Sequence, residues 1–362
     1  MRGLTFHGNG NVAVDDVAEP TLLAPTDAIV KITMAGICGS DLHILHAGEA
    51  FGFEPGARLG HEFIGTLVEV GPDVRGFASG DRVLVAVGVS CGHCVWCQEG
   101  IRASCEQMSI FGWAPRLWRH GGVVEGGQSE YARVPLAQTT MIKIPDAVAA
   151  SEHETKLLPI VDVMSTAMHG LVTGRLHPGD DVVVIGDGAV ALSAVHCARA
   201  LGAENIICFG HHADRLALAR RLGATATSDV RDTAEIAEFA RNGTRGQGAR
   251  VVVDSVSNTD SMQAAHGSVR PGGTISCLGM DHFMGKTPNV NWFDQFVRNI
   301  TISGGLLPTG LYIPRLLELL AEGEIDPSPM LTNTLPLADA AEGYRMMAER
   351  REGAVKVALK IA

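Results

Sequence analysis

Hydrophobic residues are spaced differently in the two halves of this 362-residue chain. In the first half, short apolar runs alternate with glycine-rich turns, and the spacing predicts strands over residues 28–34, 63–70 and 82–87. Farther along, residues 181–185 and 205–209 are apolar at every position after the first, which is typical of strands buried on both faces of a sheet. The chain therefore combines a β-rich region with a region of buried strands.

The second half also alternates its strands with helices. Residues 189–201 and 215–222 have helical spacing, and further strands are predicted at 250–254 and 274–278. Repetition of strand, helix and strand produces a parallel, doubly wound sheet.

The pattern changes again near residue 299, where mixed strands and helices return, and a strand at 355–361 ends the chain. We therefore expect an α/β protein of two domains. The β-rich domain would be formed by residues 1–164 and 299–362, and the doubly wound domain by residues 165–298.

Composition excludes several classes of function. The formal net charge is −11 at pH 7 and no basic stripe stands out, so we expect no nucleic-acid partner. The first residues lack the apolar segment of a secretory signal, and no stretch approaches the roughly 18 apolar residues of a membrane span. Eight cysteines in such a chain indicate metal ligands and core residues, and we expect a cytoplasmic protein.

Four of the cysteines follow one another in the spacing C-x2-C-x2-C-x7-C: Cys91, Cys94, Cys97 and Cys105. Four thiolates at this spacing can surround one Zn²⁺ tetrahedrally, which leaves no open position and so predicts a structural metal. Two disulfides are the alternative, although C-x2-C pairs have poor disulfide geometry and nothing else indicates secretion.

A glycine-rich turn follows the first buried strand and opens a helix. Its sequence, Gly186-x-Gly188-x-x-Ala191, has the spacing of a dinucleotide-binding loop, in which Ala189 and Val190 begin the helix. The glycines permit a tight turn and close approach of a pyrophosphate, which the helix N-terminus attracts. A glycine turn without a ligand is the alternative.

The end of the second buried strand indicates which dinucleotide is used. An acidic residue there would bind the ribose hydroxyls of NAD, but this chain has Gly210. The nearby His211, His212 and Arg215 could bind a 2′-phosphate. We therefore predict NADP(H) as the preferred cofactor, with NAD(H) possible if Asp214 reaches the ribose.

Two further segments indicate a protein family. Residues 60–74 contain G-H-E-x2-G-x5-G-x2-V, and Cys38 lies in a preceding G-I-C-G-S-D segment. Together with the four cysteines and the glycine loop, in this order, they resemble the zinc-dependent medium-chain alcohol dehydrogenases, in particular the bacterial secondary-alcohol branch. The resemblance implies a GroES-like β-rich catalytic domain and a Rossmann cofactor domain.

The resemblance also implies roles for individual residues. Cys38, His61 and Asp162 would hold a catalytic zinc, with Glu62 as a ligand during exchange and Asp41 bonded to the zinc-bound histidine. Ser40 and His43 would relay the proton of the substrate, and Val87 and Trp113 would line its pocket. The alternatives are that Asp162 only caps or pairs within a helix and that His43 is an exposed loop residue.

The predicted reaction is the reversible oxidation of an alcohol, preferentially a secondary one, to a ketone or aldehyde with NADP(H). Two zinc ions per chain and a homodimer or homotetramer are implied by the resemblance. The alternatives are an NAD-dependent polyol or amino-alcohol dehydrogenase, a metal-free double-bond reductase and a non-catalytic zinc-binding protein.

Overall fold

The computed structural model describes residues 1–113, 123–148, 154–281, 289–307 and 310–361. These residues form two compact units. One consists of Met1–Ser165 and Leu307–Ala362, and the other of Thr166–Leu306.

Strands and helices are numbered in chain order. The strands are β1 Arg2–Phe6, β2 Val12–Asp16, β3 Ala28–Ile37, β4 Phe63–Val70, β5 Arg82–Val85, β6 Gly88–Val89, β7 Ser109–Ile110, β8 Tyr131–Val134, β9 Met141–Lys143, β10 Val182–Ile185, β11 Ile206–Phe209, β12 Ala226–Ser228, β13 Ala249–Asp254, β14 Val269–Cys277, β15 Thr301–Gly304, β16 Asn333–Pro336 and β17 Val357–Lys360. The helices are α1 Gly39–Ala47, α2 Val95–Gln98, α3 Ala137–Thr140, α4 Glu154–Val161, α5 Val163–Thr173, α6 Ala189–Ala200, α7 Ala213–Leu222, α8 Thr233–Gly243, α9 Thr259–Ser268, α10 Trp292–Arg298, α11 Ile313–Ala321 and α12 Ala340–Glu349.

The first unit is built on a mainly antiparallel sheet with the strand order β16-β17-β3-β4-β5-β9, and β8 also pairs with β3. Strand β17 completes this sheet from the C-terminal end of the chain, with Val357 opposite Ile37 of β3. Helix α12 packs against β3, β17 and α1. The C-terminal segment therefore belongs to the β-rich unit, next to the strand that leads into Cys38.

The second unit has a parallel sheet in the order β12-β11-β10-β13-β14-β15 among the described residues. Strand β10 lies between β11 and β13, so the chain order reverses there. Its residues are at most 6% exposed, as the continuous apolar run predicts. The predicted α/β fold, with a β-rich unit and a unit built on a doubly wound parallel sheet, is confirmed.

Within the described part of the chain, none of the helices combines the length and the apolar character that crossing a membrane requires.

Candidate metal centre and cofactor loop

Cys38 stands at the junction of a strand and a helix. Strand β3 ends at Ile37, and Cys38 caps helix α1 in an extended conformation. The backbone N–H of Cys38 donates to Asp41 Oδ2 over 2.9 Å, which closes the first turn of α1. This local bond fixes the direction in which the Cys38 thiol leaves the backbone.

His61 and Glu62 precede strand β4, which pairs with β3. Both side chains are buried, at 5% and 0% exposure. Glu62 packs directly over Gly36 of β3, where any side chain would collide with its carboxylate. Pairing of the two strands therefore brings His61 and Glu62 to the end of β3 that carries Cys38.

Asp162 comes from a third element. This region contains two helices, α4 and α5, and Asp162 lies at the break between them. Its Oδ2 atom is 3.4 Å from Cys38 Sγ and 3.5 Å from His61 Nε2. The helix break thus places the Asp162 carboxylate beside both Cys38 and His61.

The four groups form one cluster of metal-ligand type. One ligand atom from each of Cys38, His61, Glu62 and Asp162 lies within 4.8 Å of all the others. A thiolate, an imidazole and a carboxylate are ligands that Zn²⁺ accepts, and three of them leave a position open. The residues therefore fit a catalytic type of zinc site.

The electrostatics of the cluster also fit a cation. Burial raises the pKa of Cys38, and the negative charge of Asp162 raises it further. Burial also acts to raise the pKa of Asp162, but hydrogen bonding and attraction to His61 outweigh it and hold that pKa below its usual range. Since three acidic groups meet in a buried space, a divalent cation would favour the thiolate that the site needs.

A buried lysine that sequence reasoning missed faces Glu62. Lys356 Nζ forms an ion pair with both carboxylate oxygens of Glu62, and the two side chains are 1% and 0% exposed. Burial acts to lower the pKa of Lys356, but the charge of Glu62 raises it above its ordinary value. The one available signal was a lone lysine within the apolar segment that leads into β17.

The predicted proton-relay residues lie on α1. Ser40 Oγ is 3.4 Å from His61 Nε2, the nitrogen that faces Cys38 and Asp162. His43 lies three residues later on the same helix and is partly buried. Residues three apart share a helix face, so Ser40 and His43 can act in sequence.

The two predicted pocket residues are apolar and buried. Trp113 is 8% exposed, and its ring meets the His61 ring edge-on with 6.4 Å between centroids. Val87 is 3% exposed and lies between β5 and β6. Trp113 thus borders the cluster itself; residues 114–122, which follow it, are outside the described part of the chain.

The four-cysteine group forms a second cluster. One sulfur from each of the four residues lies within 4.8 Å of the others. No disulfide joins any cysteines among the described residues, so the alternative pairing of these four is not seen. Backbone N–H groups of Glu106 and Cys97 lower the pKa of Cys94 to about 6, whereas burial raises the pKa of Cys97 to about 12. Four thiols with no fifth group match a closed, structural zinc site.

The glycine loop has the predicted conformation. Gly186 follows β10 with φ of 113°, and Gly188 caps α6 in an extended conformation. Any side chain at Gly186 would collide with Ser255, whereas the space around Gly188 is open. Ala191 is fully buried in the first turn of α6, after the partly exposed Ala189 and Val190. The loop leaves room for a phosphate at the start of α6.

Asp187, the residue between those glycines, has a role that sequence reasoning missed. Its Oδ2 accepts from the backbone N–H groups of His211 and His212, over 2.6 and 3.0 Å, and lies 2.8 Å from His212 Nδ1. Arg215 Nη1 is 3.6 Å from its Oδ1. Asp187 also lies against Gly210, where any side chain would collide with it. The Asp187 carboxylate therefore contacts His211, His212 and Arg215, the residues predicted to bind a 2′-phosphate, at the end of β11.

Burial acts to raise the pKa of Asp187, but its hydrogen bonds from the His212 ring and from the two backbone N–H groups lower that pKa below the ordinary value. Asp187 is thus a stable anion beside Arg215 and His212, while His211 is exposed and Asp214 lies exposed in the first turn of α7.

Comparison with known proteins agrees with this geometry. The family model of the alcohol dehydrogenase GroES-like domain matches residues 24–146, and that of the zinc-binding dehydrogenases matches residues 189–322. An uncharacterized zinc-type alcohol dehydrogenase-like protein of Bacillus subtilis is 32% identical over 99% of this chain and 100% of its own length.

Solved structures give the same result. The alcohol dehydrogenase TADH of Thermus sp. ATN1 has a TM-score of 0.90 and 33% identity, with both chains fully covered. Two others carry a cofactor. A zinc-binding dehydrogenase from Sinorhizobium meliloti is bound to NADP (TM-score 0.81, 28% identity, 99% and 98% of the chains). A short chain alcohol dehydrogenase from Escherichia coli is complexed with NADH (TM-score 0.85, 26% identity, 99% of both chains).

Proposed function

Because this chain belongs to the zinc-dependent medium-chain alcohol dehydrogenases, we propose that it interconverts a secondary alcohol and its ketone with NADP(H). The observation that carries the proposal is the convergence of Cys38, His61 and Asp162 from three separate elements. A silent zinc-binding protein would need only the four-cysteine cluster, and a metal-free reductase would need neither.

Cys38, His61 and Asp162 would hold the catalytic ion, and the four cysteines the structural one. A zinc ion in the open site supplies Lewis acidity, which favours the deprotonated alcohol and polarises the carbonyl. The nicotinamide, when bound, donates or accepts the hydride. Glu62 lies within 4.8 Å of the other ligand atoms and could join them, although its ion pair with Lys356 holds it to β17.

Two side chains of the protein would transfer the hydroxyl proton of the substrate. Ser40 Oγ lies beside His61 Nε2, so it can accept the hydroxyl proton of a substrate placed at the open position. His43, three residues along α1, would pass that proton outward. In the reverse direction the same two residues return it to the alcohol.

We propose NADP(H) rather than NAD(H) for two reasons. The end of β11 has Gly210 in place of the acid that binds ribose hydroxyls. Arg215 and His212 are held together at this point by Asp187 and would face a 2′-phosphate. Of the cofactor-bound relatives, one holds NADP and one NADH, so these side chains carry the preference.

An apolar substrate fits the two residues predicted to line the pocket. Trp113 and Val87 are both buried and offer ring and methyl surfaces. We therefore propose an aliphatic or aromatic secondary alcohol over a polyol, whose several hydroxyls would need polar partners.

We also propose a homodimer or homotetramer. Strand β15 forms the edge of the parallel sheet, and the neighbouring helix α10 exposes large apolar side chains. These are Trp292, Phe293, Phe296 and Val297, between 57% and 82% exposed. A cytoplasmic location agrees with the free thiols among the described residues.

Zinc content and turnover test the proposal together. Wild-type protein should contain two zinc ions per chain and reduce NADP⁺ with secondary alcohols, and Cys38→Ser should contain one ion and be inactive. A Cys38→Ser variant that keeps both ions and full turnover would overturn the assignment. A higher kcat/KM with NAD⁺ than with NADP⁺ would overturn the cofactor preference alone.

A further inference from the structure

A buried chain of polar side chains leads from helix α12 to His61. Tyr344, Gln128 and Asp41 are 1%, 0% and 1% exposed. Tyr344 Oη lies 2.8 Å from Gln128 Oε1, and Gln128 Nε2 lies 3.2 Å from Asp41 Oδ2. Asp41 Oδ1 is in turn 3.3 Å from His61 Nδ1. A tyrosine far along the chain is thus connected to a proposed metal ligand through two side chains.

The direction of each hydrogen bond follows from the partners. Gln128 Nε2 also donates to the carbonyl oxygen of Gly36 over 2.8 Å, and neither this carbonyl nor the Asp41 carboxylate can donate. The amide therefore turns its NH₂ group toward both acceptors. Its Oε1 atom must then accept from Tyr344, whose pKa is raised by burial so that the phenol stays protonated.

These bonds fix the orientation of the Asp41 carboxylate. Its Oδ2 accepts from the Cys38 backbone N–H and from Gln128, which leaves Oδ1 facing His61. A histidine that binds a metal through Nε2 must carry its proton on Nδ1, and a carboxylate partner stabilises that tautomer. Asp41 can do so only while Oδ1 keeps this direction.

Two glycines make room for these hydrogen-bonded side chains. The Gln128 side chain passes over Gly60, where any Cβ would collide with it and where φ is 95°. On α12, a Cβ at Gly343 would lie 2.7 Å from Ile37 Cδ1, so the glycine lets this helix approach β3 closely. The approach brings the adjacent Tyr344 within reach of Gln128.

We infer that Gln128 and Tyr344 are positioning residues of the metal centre, which hold Asp41 in the orientation that His61 needs. The inference rests on the proposed function, since it takes His61 to be a zinc ligand. Partners that orient a ligating histidine typically change metal affinity by about 10–100-fold when removed. Tyr344 is two side chains away from His61, so we expect a smaller effect of about 3–10-fold.

Release of zinc to an excess of a chromophoric chelator tests the inference on the metal-loaded protein. Wild type should release two ions in two phases, and the phase that is missing in Cys38→Ser belongs to the Cys38 site. Tyr344→Phe, which removes one hydroxyl, should accelerate that phase about 3–10-fold and leave the other unchanged. Gln128→Met should accelerate it more. Tyr131→Phe makes the same chemical change on β8. Tyr131 is not one of the hydrogen-bonded side chains that lead to His61, so this variant should change neither phase.

The outcomes distinguish failure of the positioning role from failure of the proposed function. Unchanged release from Tyr344→Phe, or equal acceleration of both phases, would overturn the positioning role. A wild-type protein without a phase that depends on Cys38 would overturn the proposed function itself. As a second readout, the ¹⁵N shifts of His61 should report the Nδ1–H tautomer in zinc-loaded wild type and a mixture of tautomers in Gln128→Met.

Discussion

The two clusters of metal-ligand residues are assembled in opposite ways. The four-cysteine cluster draws its ligands from residues 91–105, with only short helical turns between them. The cluster at Cys38 draws its ligands from the end of β3, the start of β4 and a helix break, and 124 positions separate Cys38 from Asp162. Closing a long loop costs more entropy than closing a short one, so the second site forms only when the sheet does.

This difference explains why the second site needs support that the first does not. Its ligands are buried together with Lys356, Gln128 and Tyr344, which the C-terminal segment and β8 region supply. Backbone N–H groups within the loop serve the same purpose in the four-cysteine cluster: Cys91 N–H donates to Cys105 Sγ over 3.2 Å, and Cys94 N–H to Cys91 Sγ over 3.3 Å. A local site is held by its own loop, whereas a long-range site is held by the fold.

The largest effect is expected at the long-range cluster. Cys38→Ser should lower kcat/KM by at least about 10³-fold, because a metal ion supplies several kcal/mol of transition-state stabilisation. Alcohol-dependent reduction of NADP⁺ measures this loss. Cys197→Ser, at a fully buried thiol outside both clusters, is the control and should retain turnover. Equal activity of the Cys38 variant and this control would contradict the contrast between the clusters.

Lys356→Met tests the dependence of the long-range cluster on the C-terminal segment. Removing one partner leaves the buried carboxylate of Glu62 without its cation, so the free energy of unfolding should fall by about 3–5 kcal/mol. Urea denaturation measures the change. The double variant Lys356→Met/Glu62→Gln should recover much of the loss, and Lys360→Met, at the exposed end of β17, should lose little. No recovery in the double variant would show that the ion pair is not the cause.

Cys97→Ser tests the local cluster. It should remove one zinc ion and lower the melting temperature by about 5–10 °C, since zinc binding stabilises the loop that it closes. The zinc that depends on Cys38 should remain, as metal analysis of the folded variant would show. Loss of both ions would mean that the two clusters are not independent.

The smallest effect concerns the cofactor loop in the other unit. Arg215→Gln should lower the ratio of kcat/KM for NADP⁺ to that for NAD⁺ by about 10-fold, because one charge-assisted contact to the 2′-phosphate is lost. Arg221→Gln, an exposed change on the same helix, is the matched control. An unchanged ratio for Arg215→Gln would remove the arginine from cofactor selection.

The sequence alone predicts most of what is local. Strand β4 and helix α6 fall where their hydrophobic spacing predicts them, and the loop from β10 to α6 follows from Gly186 and Gly188. The local cysteine spacing also suffices to predict its cluster. Each of these features depends on residues within about one turn or one strand of each other.

Contacts between residues that are distant in sequence cannot be predicted from local spacing. Asp162 could be assigned by resemblance, but Pro159, inside α4 three residues earlier, does not by itself place the helix break at Asp162. Gln128 and Tyr344 are ordinary polar residues until β3 and α12 bring them together, 216 positions apart. Asp187 occupies a position between two glycines at which the dinucleotide motif specifies no residue type. Its contact with His212 depends on the position of β11. A buried hydrogen bond between distant residues leaves no periodicity in either segment.

Anomalous diffraction at the zinc edge, on crystals of the metal-replete protein, would locate both zinc ions. We expect two peaks per chain, one within the four cysteines and one in contact with Cys38 Sγ, His61 Nε2 and an Asp162 oxygen. A single peak within the four cysteines, with those three side chains free of metal, would contradict this expectation.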